Sequence, residues 1–257
     1  MRATAADWCA QGWPASVIEV VDHRGSVPRE TGTRMLVAAG AVAGTIGGGH
    51  LEWEAIARAR AGRHADWRVA LGPSLGQCCG GALVLRFSPL DPATLAAWPA
   101  PRPRFELQLY GAGHVGRAIV SLLGDVECRV AWIDEREAEF PPGPLPPHLE
   151  PRSVDAVEAE VATAAPGTHF LVLTHSHDLD LRISEAVLRR GDFAWLGLIG
   201  SATKRARFEH RFLQRGLAPD VISRLICPIG LPGIEGKEPA VLAVAVVAQL
   251  LSITSGS

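Results

Sequence analysis

Residues 105–123, FELQLYGAGHVGRAIVSLL, followed by CRVAWID at 128–134, decide the fold. An apolar run of strand formers leads into a glycine-rich turn. The turn opens a stretch with helical periodicity, and the next strand ends on Asp134, about 20 residues further on, as the dinucleotide-binding fingerprint requires. Gly111, Gly113 and Gly116 permit a tight turn and close approach of backbone N–H groups to a phosphate at the helix N-terminus. Asp134 is placed to bond a ribose hydroxyl. The same spacing also suits a fold that keeps the turn and holds no nucleotide.

Downstream the alternation continues. HFLVLTH (169–175) and FAWLGLIG (193–200) read as strands, DLRISEAVLRR (180–190) and KRARFEHRFLQRG (204–216) as helices. Near-continuous apolar strands alternating with helices predict a doubly wound parallel sheet over residues 105–257. The proline-rich stretch PPGPLPPHLEP (141–151) reads as a loop that cannot pair in a sheet centre. The apolar run AVLAVAVVAQLL (240–251) falls well short of the roughly 20 residues of a membrane helix and reads as a buried C-terminal helix.

Upstream, PLDPATLAAWPAPRPR (89–104) reads as a proline-rich linker. Residues 1–88 then form a separate, small α+β domain. In it SVIEVVD (16–22), WRVAL (67–71) and ALVLRF (82–87) read as strands. RMLVA (34–38) and AVAGTI (41–46) flank Ala39-Gly40 as a hairpin, and HLEWEAIARARA (50–61) has helical periodicity. The fold class is therefore α/β: a small α+β domain followed by a Rossmann-like domain.

The totals narrow the function. The chain has 257 residues and a formal net charge of -2, which argues against nucleic acid as its main partner. Nearly half its residues are apolar (47%), enough for a packed core. Five cysteines, an odd number in a chain of this length, argue against a disulfide framework. The N-terminus has no apolar core long enough for a secretory signal. A reducing, cytoplasmic setting is expected, without membrane association.

Three further segments carry candidate chemistry. In Gly76-Gln77-Cys78-Cys79-Gly80-Gly81 two adjacent thiols precede a strand. Adjacent residues on a strand face opposite ways, so the two are poorly placed to chelate one ion together. Glycines let a large ligand approach, and a thiolate here suits a soft metal or sulfur chemistry; buried packing is the alternative. In Gly44-Thr45-Ile46-Gly47-Gly48-Gly49-His50-Leu51-Glu52 a strand meets a helix, and successive N–H groups at Gly47, Gly48 and Gly49 would form an anion nest. The other reading is a tight turn packed on a neighbouring strand. Arg24, Arg29 and Arg34 lie nearby in sequence and suit phosphate. In Thr174-His175-Ser176-His177-Asp178-Leu179-Asp180 the pattern approaches a metallohydrolase signature, but its Asp comes one place early and the final His is missing. Asp180 also suits a helix N-cap.

Taken in order, GSVPRETGTRMLV (25–37), GTIGGGHLE (44–52), GPSLGQCCGG (72–81), YGAGHVG (110–116), THSHDLD (174–180), GLIGSATKRARF (197–208) and CPIGLPGIEGKEPA (227–240) resemble the XdhC/CoxI family of xanthine dehydrogenase accessory proteins. The resemblance implies a non-enzymatic chaperone in xanthine dehydrogenase maturation. It would bind molybdenum cofactor (molybdopterin), protect it, support its sulfuration with a cysteine desulfurase, and deliver it to the apo-subunit of xanthine dehydrogenase. Upstream cofactor-biosynthesis proteins, and a second copy of the chain, are further expected partners. The family's C-G-G position falls on Cys79, the expected contact to metal, with Gln77 and Cys78 beside it. The expected binding set is thus Gln77, Cys78, Cys79, Gly47, Gly48, Gly49, Gly111, Gly113, Gly116 and Asp134. Whether the second glycine loop holds NAD(P), another nucleotide or the cofactor's own phosphate stays open. Three other readings remain: an NAD(P)-dependent oxidoreductase using the Rossmann-like half, a metal-dependent hydrolase centred on His175 and His177, and an interaction protein with vestigial sites. No Ser-His-Asp triad or paired carboxylates announce turnover.

Overall fold

In the computed structural model, which describes residues 1–72, 80–99 and 102–254, the chain divides into two units at Ala100/Pro101. The first unit is built on β1 (Ala15–Arg24), β2 (Arg34–Ala38), β3 (Val42–Gly44), β4 (Trp67–Ala70) and β5 (Ala82–Pro89). These form one antiparallel sheet in the order β3-β2-β1-β5-β4. The expected hairpin is present, with Val37 opposite Val42 and Met35 opposite Gly44. Alternation along the strands sends side chains to two buried faces. Ile18, Val20, Met35, Leu83 and Leu85 pack under α2 (Gly49–Arg60), through its Leu51, Ala55 and Ala59. Val17 and Leu36 face the other way, onto Trp8 of α1 (Arg2–Ala10), Leu90 and Trp98.

That second layer changes the reading of the expected linker. Residues 92–96 form a short helix, α3 (Pro92–Ala96), started by Asp91, whose side chain accepts the Thr94 amide at 2.6 Å, and by Pro92 in its first turn. Leu90 and Trp98, at 8% and 9% exposure, anchor the segment to the first unit. The proline-rich stretch is thus folded over most of its length, because two large apolar side chains in it have a sheet face to cover.

The second unit contains a six-stranded, all-parallel sheet: β6 (Glu106–Tyr110), β7 (Arg129–Asp134), β8 (Leu149–Ser153), β9 (His169–Val172), β10 (Trp195–Leu198) and β11 (Leu225–Ile226). The order is β11-β10-β9-β6-β7-β8. Counted from β6, that is 3-2-1-4-5-6, the dinucleotide-fold order, with its switch point between β6 and β9. On one face α4 (His114–Leu123) and α8 (Pro239–Thr254) bury Ile119, Val120, Leu123, Ala243, Val246 and Leu250. On the other, α5 (His177–Arg190), α6 (Ala202–Gln214) and α7 (Pro219–Ser223) bury Leu181, Ile183, Val187, Phe208, Phe212 and Ile222. Strand β8 emerges from the proline-rich segment that reads as a loop. It tolerates Pro151 because it is an edge strand paired only with β7. Among the described residues no helix is long and apolar enough to cross a membrane.

Candidate functional site

Because β6, β7, β9, β10 and β11 are parallel, the segments that follow them lie along one edge of the sheet. Gly111-Ala112-Gly113, Asp134, Thr174-His175, Gly200-Ser201 and Cys227 therefore gather at the carboxyl ends of the strands, where open α/β sheets bind ligands.

The three glycines of the first turn have separate jobs. A Cβ on Gly111, at φ +122°, would lie 2.3 Å from the Leu173 carbonyl oxygen, so glycine lets β6 turn against β9. A Cβ on Gly116 would lie 2.1 Å from the Gly111 carbonyl oxygen, so glycine lets α4 close onto the turn. A Cβ on Gly113 would meet nothing within 4 Å; this glycine, the N-cap of α4, faces open space.

Asp134 sits beside this turn but is engaged within the protein. It is 4% exposed. Its Oδ2 accepts the Ala112 amide at 2.6 Å and Arg136 Nη2 at 2.9 Å; its Oδ1 accepts the Arg136 amide at 2.9 Å and Arg136 Nε at 3.0 Å. Burial alone would raise its pKa. Hydrogen bonds from Arg136 and the Ala112 amide outweigh burial and hold the carboxyl below the usual carboxylate range. The carboxylate ties β7 to the glycine turn.

The THSHDLD segment is likewise turned inward at one end. Ser176 is the N-cap of α5, accepting the Leu179 amide at 3.3 Å. Asp180, the cap expected from sequence, lies further into the helix. Only 1% exposed, it accepts the Thr174 amide (3.0 Å) and hydroxyl (2.7 Å) on Oδ1, and Lys204 Nζ (2.6 Å) on Oδ2. Lys204 also donates to the Ile199 carbonyl at 2.7 Å. This buried pair locks α5 to α6 and was not legible in sequence: its partners stand 24 residues apart and meet only through the strand order. Cys227 is buried next to it. A Cβ on Gly200 would lie 2.6 Å from Lys204 Cδ and 3.2 Å from the Cys227 sulfur. Burial pushes that thiol's pKa up, against the pull of Lys204 and Arg205. His175 is exposed and lies 3.4 Å from Glu135. Among the described residues no cluster of three or more His, Cys, Asp or Glu side chains could hold a metal ion.

In the first unit three motifs converge at the end of the sheet where β1 finishes. Pro28 packs on Gly47, whose Cβ would lie 2.4 Å from the proline ring, at φ +130°. Gly81 lies against the chain at Arg24 and Ser26: its Cβ would lie 2.3 Å from the Ser26 carbonyl oxygen. So the loop after β1 touches both glycine-rich segments. Two of the three amides of the expected nest have internal acceptors. Gly47 donates to Thr45 Oγ1 at 3.1 Å, and Gly48 to Glu52 Oε2 at 2.7 Å, which also accepts the Thr45 hydroxyl at 2.7 Å. Glu52, at the start of α2, is thus the anion in this arrangement. Of the three arginines, Arg34 sits elsewhere, paired with Glu19 and stacked on Trp98. Arg24 stays at the converging end. With Asp22, His23, Arg68 and the start of β5 it lines a cavity of ≈ 450 Å³. Among the described residues neither Arg24 nor Arg68 has an ion pair. Gln77, Cys78 and Cys79, which precede Gly80 in sequence, lie outside the described residues.

These features define a two-unit protein in which a small α+β domain that gathers glycine loops and arginines is followed in sequence by a Rossmann-like domain. Residues 107–250 match the XdhC Rossmann domain, and residues 8–68 match the XdhC and CoxI family. The chain belongs to this family. It is 31% identical over 266 aligned residues to "Uncharacterized protein YqeB" of Escherichia coli (strain K12), covering 96% of this chain and 45% of that protein. The chain therefore spans less than half the length of that relative. A solved structure described as a xanthine dehydrogenase from Bacillus halodurans superposes with a TM-score of 0.78 at 19% identity, over 99% of this chain and 95% of the other, and shares its fold.

Proposed function

We propose that the chain is an accessory protein in xanthine dehydrogenase maturation. In this reading it binds molybdenum cofactor, shields it during sulfuration by a cysteine desulfurase, and passes it to the apo-subunit of the dehydrogenase in the cytoplasm without turning over a metabolite itself. Family membership supports the maturation role. The observation that carries the cofactor is the end of the first unit where β1 finishes. There Gly80-Gly81, directly after Cys79 in sequence, leads to Ala82 in the lining of a cavity that also holds Arg24 and Arg68, neither of which has an ion pair among the described residues. Molybdenum cofactor joins a phosphate to a metal held by a dithiolene, so a ligand of that kind calls for guanidinium groups for the phosphate and a soft sulfur donor for the metal within one small space. Arg24 and Arg68 would take the phosphate, and Cys79 would approach the sulfur end. The Gly47–Gly49 turn would shape the site rather than hold the anion, since Glu52 already accepts there.

The test is to mix purified chain with molybdopterin and weigh the released ligand by mass spectrometry. Cys79→Ala is expected to lose retention while the fold survives, and Arg24→Ala with Arg68→Ala to weaken retention about tenfold or more. Undiminished binding by Cys78→Ala/Cys79→Ala and by the double arginine variant would refute the site.

A further inference from the structure

The first unit has a second cavity, at the end of its sheet where β1 begins, away from the end that gathers Arg24 and Arg68. It forms because α2 stops short. Gly62, at φ +66°, turns the chain away, and the amides of Gly62 and Arg63 cap the helix on the carbonyls of Ala59 and Arg58. The first residues of β1 then run on beyond the helix that covers Ile18 and Val20. The space left has a volume of ≈ 580 Å³, within the range of about 300–1,000 Å³ usual for small-molecule sites. Val37, Ala59 and Leu90 give it apolar walls.

Ser16 and Arg60 also line this cavity, and both have unused bonding capacity. Ser16 is only 9% exposed, yet its hydroxyl has no hydrogen-bond partner among the described residues. A buried polar group left without a partner is uncommon and costly. Arg60 is anchored by Nε, which donates to the Ala38 carbonyl at 3.3 Å, and both of its Nη atoms are without partners among the described residues. The surroundings are cationic. Residues 58–64, RARAGRH, hold three arginines and His64, which lines the cavity, and no acid. Arg58 stacks on Trp67 at 4.1 Å, and among the described residues none of the three arginines has an ion pair. The flanking acids, Glu54 and Asp66, are held by His50 and Arg86.

We propose that this cavity binds a small monocarboxylate with an apolar body. The carboxylate is held by the Nη atoms of Arg60 and by the Ser16 hydroxyl, and the body lies against Val37, Ala59 and Leu90. A carboxylate accepts from both arms of a guanidinium and keeps lone pairs for a hydroxyl donor, so one such group satisfies what Arg60 and Ser16 leave open. A bare inorganic anion would leave the apolar walls wet, and an uncharged apolar molecule would leave the guanidinium unused. This inference is independent of the molybdenum cofactor reading, whose residues stand at the other end of the sheet, and no pterin enters its test.

The full chain is titrated calorimetrically with octanoate, octan-1-ol and acetate. Octanoate is expected to bind saturably at a single site, octan-1-ol about tenfold more weakly for want of the charge, and acetate at least about a hundredfold more weakly for want of the chain. Arg60→Gln should bind octanoate no better than the parent binds the alcohol, and Arg60→Lys, which keeps the charge, should fall between. Ser16→Ala should bind octanoate about tenfold more weakly and melt no lower than the parent, since the hydroxyl it removes has no internal partner. A melting curve of each variant checks that it folds. Should Arg60→Gln unfold for loss of its bond to Ala38, the acid–alcohol comparison on the parent and the Ser16→Ala titration decide. No saturable binding of octanoate, equal affinity for octanoate and octan-1-ol, or parent-like binding by Arg60→Gln would overturn the site. Parent-like binding by Ser16→Ala, or a lower melting temperature in that variant, would overturn the part given to the hydroxyl.

Discussion

Replacing Lys204 by methionine isolates the contribution of one buried ammonium. Methionine keeps most of the stem that lies along Gly200 and removes the charge. The side chains of Lys204 and Asp180 are 10% and 2% exposed, so solvent screens the pair little. Removing one partner of a buried ion pair costs about 3–5 kcal/mol, because a desolvated charge is left behind. Asp180 retains the Thr174 amide and hydroxyl on Oδ1, and only Oδ2 loses its donor. The lower end, about 3 kcal/mol, is therefore expected. For a domain the size of the second unit this corresponds to a fall in Tm of about 6–12 °C.

The chain has two units, which can unfold separately, so a whole-chain melt is a poor measure. Hydrogen exchange of peptides from β9 and β10, followed in increasing denaturant, reads the affected unit directly. Asp180→Asn removes the charge but keeps an acceptor for Thr174. The double variant Asp180→Asn/Lys204→Met should then lose at least about 1 kcal/mol less than the sum of the two single losses. A loss below about 0.5 kcal/mol in Lys204→Met, or strict additivity in the double variant, would refute the reasoning.

Two further outcomes follow from the same sheet edge. Gly116→Ala is expected to destabilise the second unit by about 2 kcal/mol or more, since its Cβ would lie 2.1 Å from a backbone oxygen. Gly113→Ala, with open space around its Cβ, should cost less than about 1 kcal/mol, and comparable losses on denaturant titration would contradict the steric division of the turn. Asp134→Asn tests the pH dependence. The carboxyl is held below its usual range in the folded state, so its stabilisation is present above the unfolded value of about 3.9 and is lost as the pH falls through the lower folded value. The stability gap between parent and variant should be widest near neutral pH and shrink as the pH drops below about 3.9; a gap that persists undiminished in strong acid would rule out ionised Asp134 as the brace.

The strand–turn–helix at 105–134 was legible because its signals are local: an apolar run, glycines at fixed offsets, and an acidic strand end. The α+β character of the first unit was legible for the same reason, from short runs with period two and one helical period. What escaped had nonlocal causes. Strand β8 is hidden by Pro151, which only its edge position excuses. Helix α1, RATAADWCA, has no strong apolar stripe; it is held by Ala5 and Trp8 against a sheet face that sequence does not reveal. Helix α3 did carry local start signals in Asp91 and Pro92, but the surrounding prolines outweighed them. At the sites, sequence named the right loops and not the bonds within them. Glu52 as acceptor in the glycine turn and Lys204 as partner of Asp180 required the fold to bring them together.

The motif residues therefore sort by what surrounds them. Gly111, Gly116 and Gly81 are glycines because a backbone oxygen occupies the place of a Cβ. Asp134, Asp180 and Glu52 are acidic because backbone amides and buried cations meet them there. None of these needs a ligand to account for it, and substituting any of them perturbs the fold along with any binding. Groups left facing outward at the same edges behave differently: Gly113, Glu135 and His175 above the parallel sheet, Arg24 and Arg68 at the end of the antiparallel one. Their internal partners are weak or lacking among the described residues, so removing the side chains of Glu135, His175, Arg24 and Arg68 should leave stability nearly intact. Any loss of binding in those variants then reports on ligand contact itself. For that reason the cofactor question posed by this chain is decided at the Arg24–Arg68 pair, one loop away from the letters that first attract attention.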